Sequence, residues 1–513
     1  MKTVTVDGHG LTIEDVHLVA REGARVELSD KAKEAIEKSN ALVKKLVDSG
    51  EAIYGVTTGI GEFARIRIAP EMGEELQRKI IYSHSAGTGD PQPIEVVRAG
   101  MLLRVNTLSR GNSGVRLVLV QTMVDMINKG VHPYVYQKGS VGASGDLSPL
   151  SQVAEVVLGE GRAYYKGELM EGGEAMKKAG IEPIRPTYKE GLGIINGSQI
   201  LTGQSALILY DAERLLKNAM IASAMTLDAL KAVLKAYDPR LHGARPFPGQ
   251  NAVAQNLRAL FDGSEIIADP TGKVQDGYSM RCTPQVLGPS LDAFHYARRQ
   301  IETEMNSSVD NPLFFPEDGD HVAGGNFHAQ SVGMAMDFLG IAMAEVASLS
   351  ERHTNRLLNP VLSGLPDFLV EGRGVNSGLM VAQYTAAALV SENKVLAHPG
   401  VVDSISVSAD QEDHVSMAPV SVHTCQAIIK NVQSVLAIEM LAACQAFDFR
   451  KPKKPGKGTA VAYNIIREKV SFMEEDRPLH PDIDGILELI RDNSVLDAVE
   501  KEMGTLLLTM EMQ

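Results

Sequence analysis

Residues 329–349 constrain this chain most, because apolar side chains run nearly all the way round a helix there and leave no face for water. Such a helix is at home only inside a large core or a subunit interface. Asp337 and Glu345 interrupt it, which argues against a membrane span. The run continues to 358, and 199–237, 285–306 and 427–447 likewise carry Ala, Leu, Met and Ile with few breakers. Together they predict a mainly α protein, a long central helical bundle beside a smaller, mixed N-terminal region that carries loops. With 513 residues, 44% of them apolar, the chain can bury such a bundle. Met334, Met336 and Met343 read as core packing.

Towards the N-terminus the pattern is mixed. Residues 3–6 and 16–20 read as short strands, and 29–50 as a helix with Ala35, Ile36, Leu42, Val43 and Leu46 at helical spacing, closed by Gly50. Glycines make 54–61 a loop. A short helix over 74–82, a second loop over 83–91 and a helical region over 93–130 follow. No Pro/Gly/Ser linker separates two compositions, so the division into 1–195, bearing the loops, and 196–513, the helical core and C-terminal region, is a soft one. The stretch 450–458 reads as a solvated loop.

A net charge of −14 disfavours nucleic acid or an anionic membrane as partner and is neutral towards a small zwitterion. Asp7 and His9 interrupt the first residues before any apolar run of signal-peptide length. Cys282, Cys425 and Cys444 are odd in number and lack metal-ligand spacing, so reduced, mostly buried thiols in a cytoplasmic setting are expected. The histidines 328, 353, 414 and 423 show no ligand pattern and read as ordinary polar or core residues, so no metal is expected.

Chemistry enters at 139–150, Gly-Ser-Val-Gly-Ala-Ser-Gly-Asp-Leu-Ser-Pro-Leu. Attack of the Gly145 nitrogen on the Ala143 carbonyl, with loss of two waters, closes Ala143-Ser144-Gly145 into a 4-methylidene-imidazole-5-one ring. Ser144 then supplies an electrophilic carbon, a function no ordinary side chain has. Glycine at 145 suits the closure. A phosphate-binding loop fits less well, since the lysine and Ser/Thr of that motif are missing. An ordinary turn before a helix explains the glycines and Pro149, but not the distant matches that follow.

The twelve residues resemble the active-site signature of the aromatic amino acid ammonia-lyases and aminomutases, and the likeness extends over nearly the whole chain. The resemblance implies a self-made ring as sole cofactor, an amino acid substrate and a homotetramer whose sites each draw on three chains. Tyr54, in Tyr-Gly-Val-Thr-Thr-Gly-Ile-Gly, matches the tyrosine that takes the β-proton. A phenol near pKa 10 needs a positive neighbour, or the environment of the ring, to favour phenolate and serve as that base. In 275–282, Gln275, Tyr278 and Arg281 match a segment in which the arginine holds the substrate carboxylate with its planar fork and the tyrosine lies near ring and amine. Asn196 matches an asparagine placed at the ring oxygen, an oxyanion-hole role, and Phe327 an aromatic beside the ring.

Substrate choice must lie in the side-chain pocket. Gln411-Glu412-Asp413-His414-Val415-Ser416-Met417 has the form typical of the histidine-acting members. The Glu412 carboxylate can accept from an imidazole, whereas a phenyl ring would leave it desolvated and unpaired. His84 and Met380, in Met-Val-Ala-Gln, also resemble that branch. Asp410 stands where asparagine is usual, and 148–152 reads Ser-Pro-Leu-Ser-Gln in place of the commoner Ala-Pro-Leu-Ala/Ser-His. The expected reaction is elimination of ammonia from L-histidine to trans-urocanate. The rivals are an aminomutase on the same ring, a tyrosine or phenylalanine lyase, and a silent helical scaffold.

Overall fold

The computed structural model describes residues 2–269 and 271–510. The chain forms two compact units that interleave in sequence. The first comprises Met1–Tyr210, Arg298–Asp337 and Pro399–His423, the second Asp211–Ala297, Phe338–His398 and Thr424–Gln513.

Twenty α-helices and only short strands are present among the described residues, so the fold is mainly α as expected. The apolar runs become the helices Gln199–Ala229, Thr283–Met305, Gln330–Leu358 and Ala418–Asp448. The first stops short of 237 because the chain turns left-handed at Lys231, and the Ala232 N–H returns to the Leu227 carbonyl to close the helix end. In Gln330–Leu358, Val332, Met336, Leu339, Met343 and Val346 are buried, while Met334, Phe338 and Ile341 form an exposed stripe at three- and four-residue spacing. The apolar circumference is therefore two faces, one of them open in the single chain. Helix Met380–Leu396 likewise exposes Val381, Tyr384 and Val395. Gln330–Leu358 and Ala418–Asp448 are long and apolar enough to cross a membrane, yet 67% and 72% of their most apolar windows are buried inside the protein.

Three local expectations are corrected in the first unit. Residues 16–20 lie not in a strand but in helix Ile13–Ala20, which starts with a reciprocal Thr12–Asp15 capping box and buries Ile13, Val16, Val19 and Ala20. Loop 83–91 contains the strand Thr88–Pro91, which pairs with Tyr136–Lys138 just ahead of the signature loop. The helical region 93–130 is two helices, Ile94–Ser109 and Leu117–Lys129. Between them Gly111, at φ +76°, passes so close that a Cβ would lie 2.7 Å from the Ala35 carbonyl oxygen. The remaining sheets are small, a parallel pair of Thr3–Val6 with Arg25–Leu28 among them. A core of Leu42, Val43, Leu46, Val47, Ile53, Val56 and Phe314 underlies the Tyr54 loop, with Ile53 and Val56 anchoring it on both sides.

Candidate active site

The signature loop is gripped through its backbone. The Val141 carbonyl accepts from Met417 N at 3.0 Å. The Gly142 carbonyl accepts from Ala329 N at 3.2 Å and from Ser416 Oγ at 2.9 Å. Ala143 is buried against Val415 and Met417. On the far side Gly145, at φ +69°, lies against Gly197, where a Cβ would fall 2.2 Å from the Gly197 carbonyl carbon. Only glycine fits there. Asp146 N donates to the Gly197 carbonyl at 2.7 Å, and helix Leu147–Val157 begins.

Two buried polar groups back this loop. Asp146 is fully buried, its Oδ2 accepts from Leu201 N at 2.8 Å, and its Oδ1 has no hydrogen-bond partner among the described residues. Burial pushes its carboxyl up to about 7. Asn196 ends the short helix Glu190–Ile195 and is 5% exposed. Its carbonyl accepts from Nη1 of the fully buried Arg104 at 2.9 Å, and the same nitrogen reaches Gln199 Oε1 and the Val309 carbonyl, both at 2.9 Å. The Asn196 backbone is thereby fixed, while its side-chain Oδ1 is unpartnered among the described residues.

Tyr54, His84, Ser144, Asn196 and Glu412 all line one cavity of about 1000 Å³, walled by Ile60, Phe63, Ile68, Leu76 and Leu192. Ser144 Oγ donates to Glu412 Oε1 at 3.1 Å. Glu412 closes a tight turn, bridged both ways to Val407, in which Ser408, Ala409 and Asp410 all take positive φ. Three successive non-glycine residues in that region are strained. Asp410 is exposed and accepts from the Ser406 hydroxyl, and it does not line the cavity. His84 Nδ1 lies 2.8 Å from the Ile80 carbonyl, which can only accept, so Nδ1 bears a hydrogen and Nε2 is the ring nitrogen left open to a ligand. Tyr54 OH accepts from Gly61 N at 2.9 Å. Burial, and then the Glu412 charge, push the phenol above its ordinary value, while the Gly61 N–H pulls it down. The lining residues thus hold the phenol protonated, the opposite of what a base requires.

The other predicted residues lie elsewhere. Gln275, Tyr278 and Arg281 belong to the second unit, where Tyr278 is 73% exposed and Arg281 has its guanidinium 4.7 Å from the Tyr278 ring centroid and donates to Gln275 Oε1. Gln275 and Arg281 line a separate, smaller pocket. Met380 starts helix Met380–Leu396, also in the second unit, and half-buried Phe327 is in the first; neither lines the Tyr54 cavity. Sequence reasoning missed Lys79, a cation in the lining, and Ser408. Lys79 follows Leu76 at three-residue spacing on helix Gly73–His84, a signal that was readable; Ser408 depends on the left-handed turn and was not.

The aromatic amino acid lyase family model matches residues 11–468. The chain belongs to that family. It is 50% identical over 508 residues to a histidine ammonia-lyase of Caldanaerobacter subterraneus subsp. tengcongensis, covering 99% of this chain and 100% of the relative. The crystal structure of histidine ammonia-lyase from Trypanosoma cruzi is 39% identical and superposes with a TM-score of 0.91, covering 100% and 99% of the two chains. Tyrosine aminomutase from Streptomyces globisporus is 35% identical, with a TM-score of 0.93 over 98% and 99%.

Proposed function

We propose that this chain eliminates ammonia from L-histidine to give trans-urocanate. The observation that carries the reading is the pairing, in one largely apolar cavity, of the Glu412 carboxylate with an open His84 nitrogen beside Ser144. Two such groups suit a ring that bears polar nitrogens. A phenyl ring would leave both unpaired at a desolvation cost.

The residues around Ser144 fit a ring made from Ala143-Ser144-Gly145. The loop is held at both ends, Gly145 alone fits at its position, and Asn196 lines the same cavity, where its amide N–H would serve as donor to developing negative charge. That ring, once formed, supplies an electrophilic carbon that makes the amine a better leaving group. The chain's own residues do the rest. Glu412 receives an imidazole N–H and orients the substrate. Tyr54 takes the β-proton as the Cα–N bond breaks, and the amine leaves as ammonia. Burial and Glu412 keep the phenol protonated, and Lys79 in the lining does not offset them, so further positive charge must be brought to Tyr54. Arg281, holding the substrate carboxylate, is the group we assign to it, with Tyr278 and Gln275 beside it.

We further propose that these three residues reach the cavity from a neighbouring copy in a homotetramer. The exposed stripe Met334–Phe338–Ile341 and the exposed Val381, Tyr384 and Val395 are the surfaces that support it. A reducing cytoplasmic setting agrees with three cysteines that form no disulfide among the described residues, of which Cys282 is half-exposed.

Product-resolved turnover of L-histidine, with tyrosine and phenylalanine in parallel, tests the reading. Urocanate as the dominant product is expected. β-Histidine would replace the lyase by an aminomutase, and coumarate or cinnamate without urocanate would overturn the pocket assignment.

A further inference from the structure

Deep in the second unit, His353 on helix Gln330–Leu358 is fully buried between two acceptors. Its Nδ1 lies 2.8 Å from Glu439 Oε1, and its Nε2 lies 2.7 Å from the Ser279 carbonyl oxygen. The Ser279 carbonyl can only accept, so Nε2 carries a hydrogen and donates it there, while Nδ1 and Glu439 Oε1 share one hydrogen between them. Glu439 Oε1 is fixed in turn by the Thr226 hydroxyl at 2.8 Å.

The carbonyl that His353 holds belongs to Tyr278–Arg281, a helix of four residues and too short to be stable alone. Its carbonyls are held from outside the turn. Ser279 O also accepts from Thr283 Oγ1 at 3.0 Å, and Met280 O accepts from the buried Tyr237 hydroxyl at 2.8 Å and from Thr283 Oγ1 at 2.9 Å. The side chains on either side of those two carbonyls are Tyr278 and Arg281, stacked on each other.

We infer that His353, held by Glu439, is a positioning residue that sets the Tyr278–Arg281 turn and thereby aims Arg281 at a substrate carboxylate. The inference rests on the proposed role of Arg281 as carboxylate clamp. His353 touches no substrate. Its effect is confined to the end of the ligand that Arg281 holds, because the imidazole end faces Glu412 and His84.

The test compares two ligands of the full-length enzyme that share the imidazole, imidazolepropionate with a carboxylate and no amine and histamine with an amine and no carboxylate, in binding measured by calorimetry. In His353→Gln and in Glu439→Gln, imidazolepropionate should weaken about tenfold or more, as a displaced positioning group costs. Histamine binding should be unchanged, and KM for histidine should rise by more than kcat falls. Arg281→Lys is the reference and should also lose the preference for the carboxylate. If Arg281→Lys loses it and both His353→Gln and Glu439→Gln keep it, or weaken both ligands equally, His353 is only a core residue and the inference is overturned. If Arg281→Lys itself keeps the preference, the clamp reading fails and the inference falls with it. Should His353→Gln not fold, the isosteric Glu439→Gln decides alone. Neutron diffraction gives an independent reading: a deuteron on Nε2, directed at the Ser279 carbonyl, is expected, and a bare Nε2 overturns the inference.

Discussion

The Ser144 loop is held by main chain: carbonyls 141 and 142 are bonded from distant segments, and one glycine is pressed against another. The Tyr278–Arg281 turn is held by side chains, His353, Tyr237 and Thr283, that reach in to its carbonyls. The first kind of support writes itself into local sequence, since a backbone that must approach another backbone demands glycine. The second leaves only scattered polar residues, each ordinary in its own neighbourhood. The first region also encloses its reacting residue within a cavity, while the second presents Tyr278 to the outside of the chain.

The most severe way to break this contrast is Ser144→Ala, which should cut turnover about a thousandfold or more, remove the near-UV ring band and leave the circular dichroism of the helices intact. Substantial residual elimination would remove the ring from the proposal. Mixing inactive Ser144→Ala chains with inactive Arg281→Lys chains, by co-refolding, sharpens it. If the two regions complete one site across copies, about a quarter of sites regain both residues and activity returns. No recovery would place both in the same chain's site.

Glu412→Gln should lower kcat/KM for histidine about tenfold to a hundredfold, the worth of a charged hydrogen bond. It also removes a charge that raises the Tyr54 phenol. The limb of the pH–rate profile that reports the base should therefore move to lower pH. A shift to higher pH would show that Glu412 does not act on Tyr54.

The last effect is on stability alone. Burial lifts the Asp146 carboxyl from 3.8 to about 7. Between those values the folded chain binds a proton that the unfolded chain has released, so the contribution of Asp146 to stability is full below pH 4 and is lost as pH rises to 7. The contribution lost reaches about 4 kcal/mol. Asp146→Asn keeps an acceptor for Leu201 N and should flatten that part of the thermal-midpoint-versus-pH curve relative to the parent; parallel curves would refute the assignment.

The sequence reveals much of this, and its failures are physical. Long apolar runs became helices because burial and propensity agree there. The exposed face of Gln330–Leu358 was invisible, since Phe338 and Met336 differ in surroundings and not in kind. Residues 16–20 were misread because β-branched valines outweighed a capping box only three residues long. Tyr54, Ser144, Asn196, Glu412 and His84 were legible from motifs, and the structure brings them to one cavity. The pressure that Glu412 and burial exert on the Tyr54 phenol was not legible, as it depends on distance. Nor was His353, whose meaning lies in its partners, 74 and 86 residues away.

The bonds that grip the Ser144 loop have a consequence for biosynthesis. Gly142 is held by Ser416, 274 residues further on. A growing chain emerges from its N-terminus, so the loop is made early and its clamp late. Until residues 416 and 417 are free of the ribosome, the loop lacks the Ser416 and Met417 bonds and has only the Ala329 bond on that side. Under the proposed ring chemistry, a chain truncated before Ser416 is expected to lack the near-UV ring band.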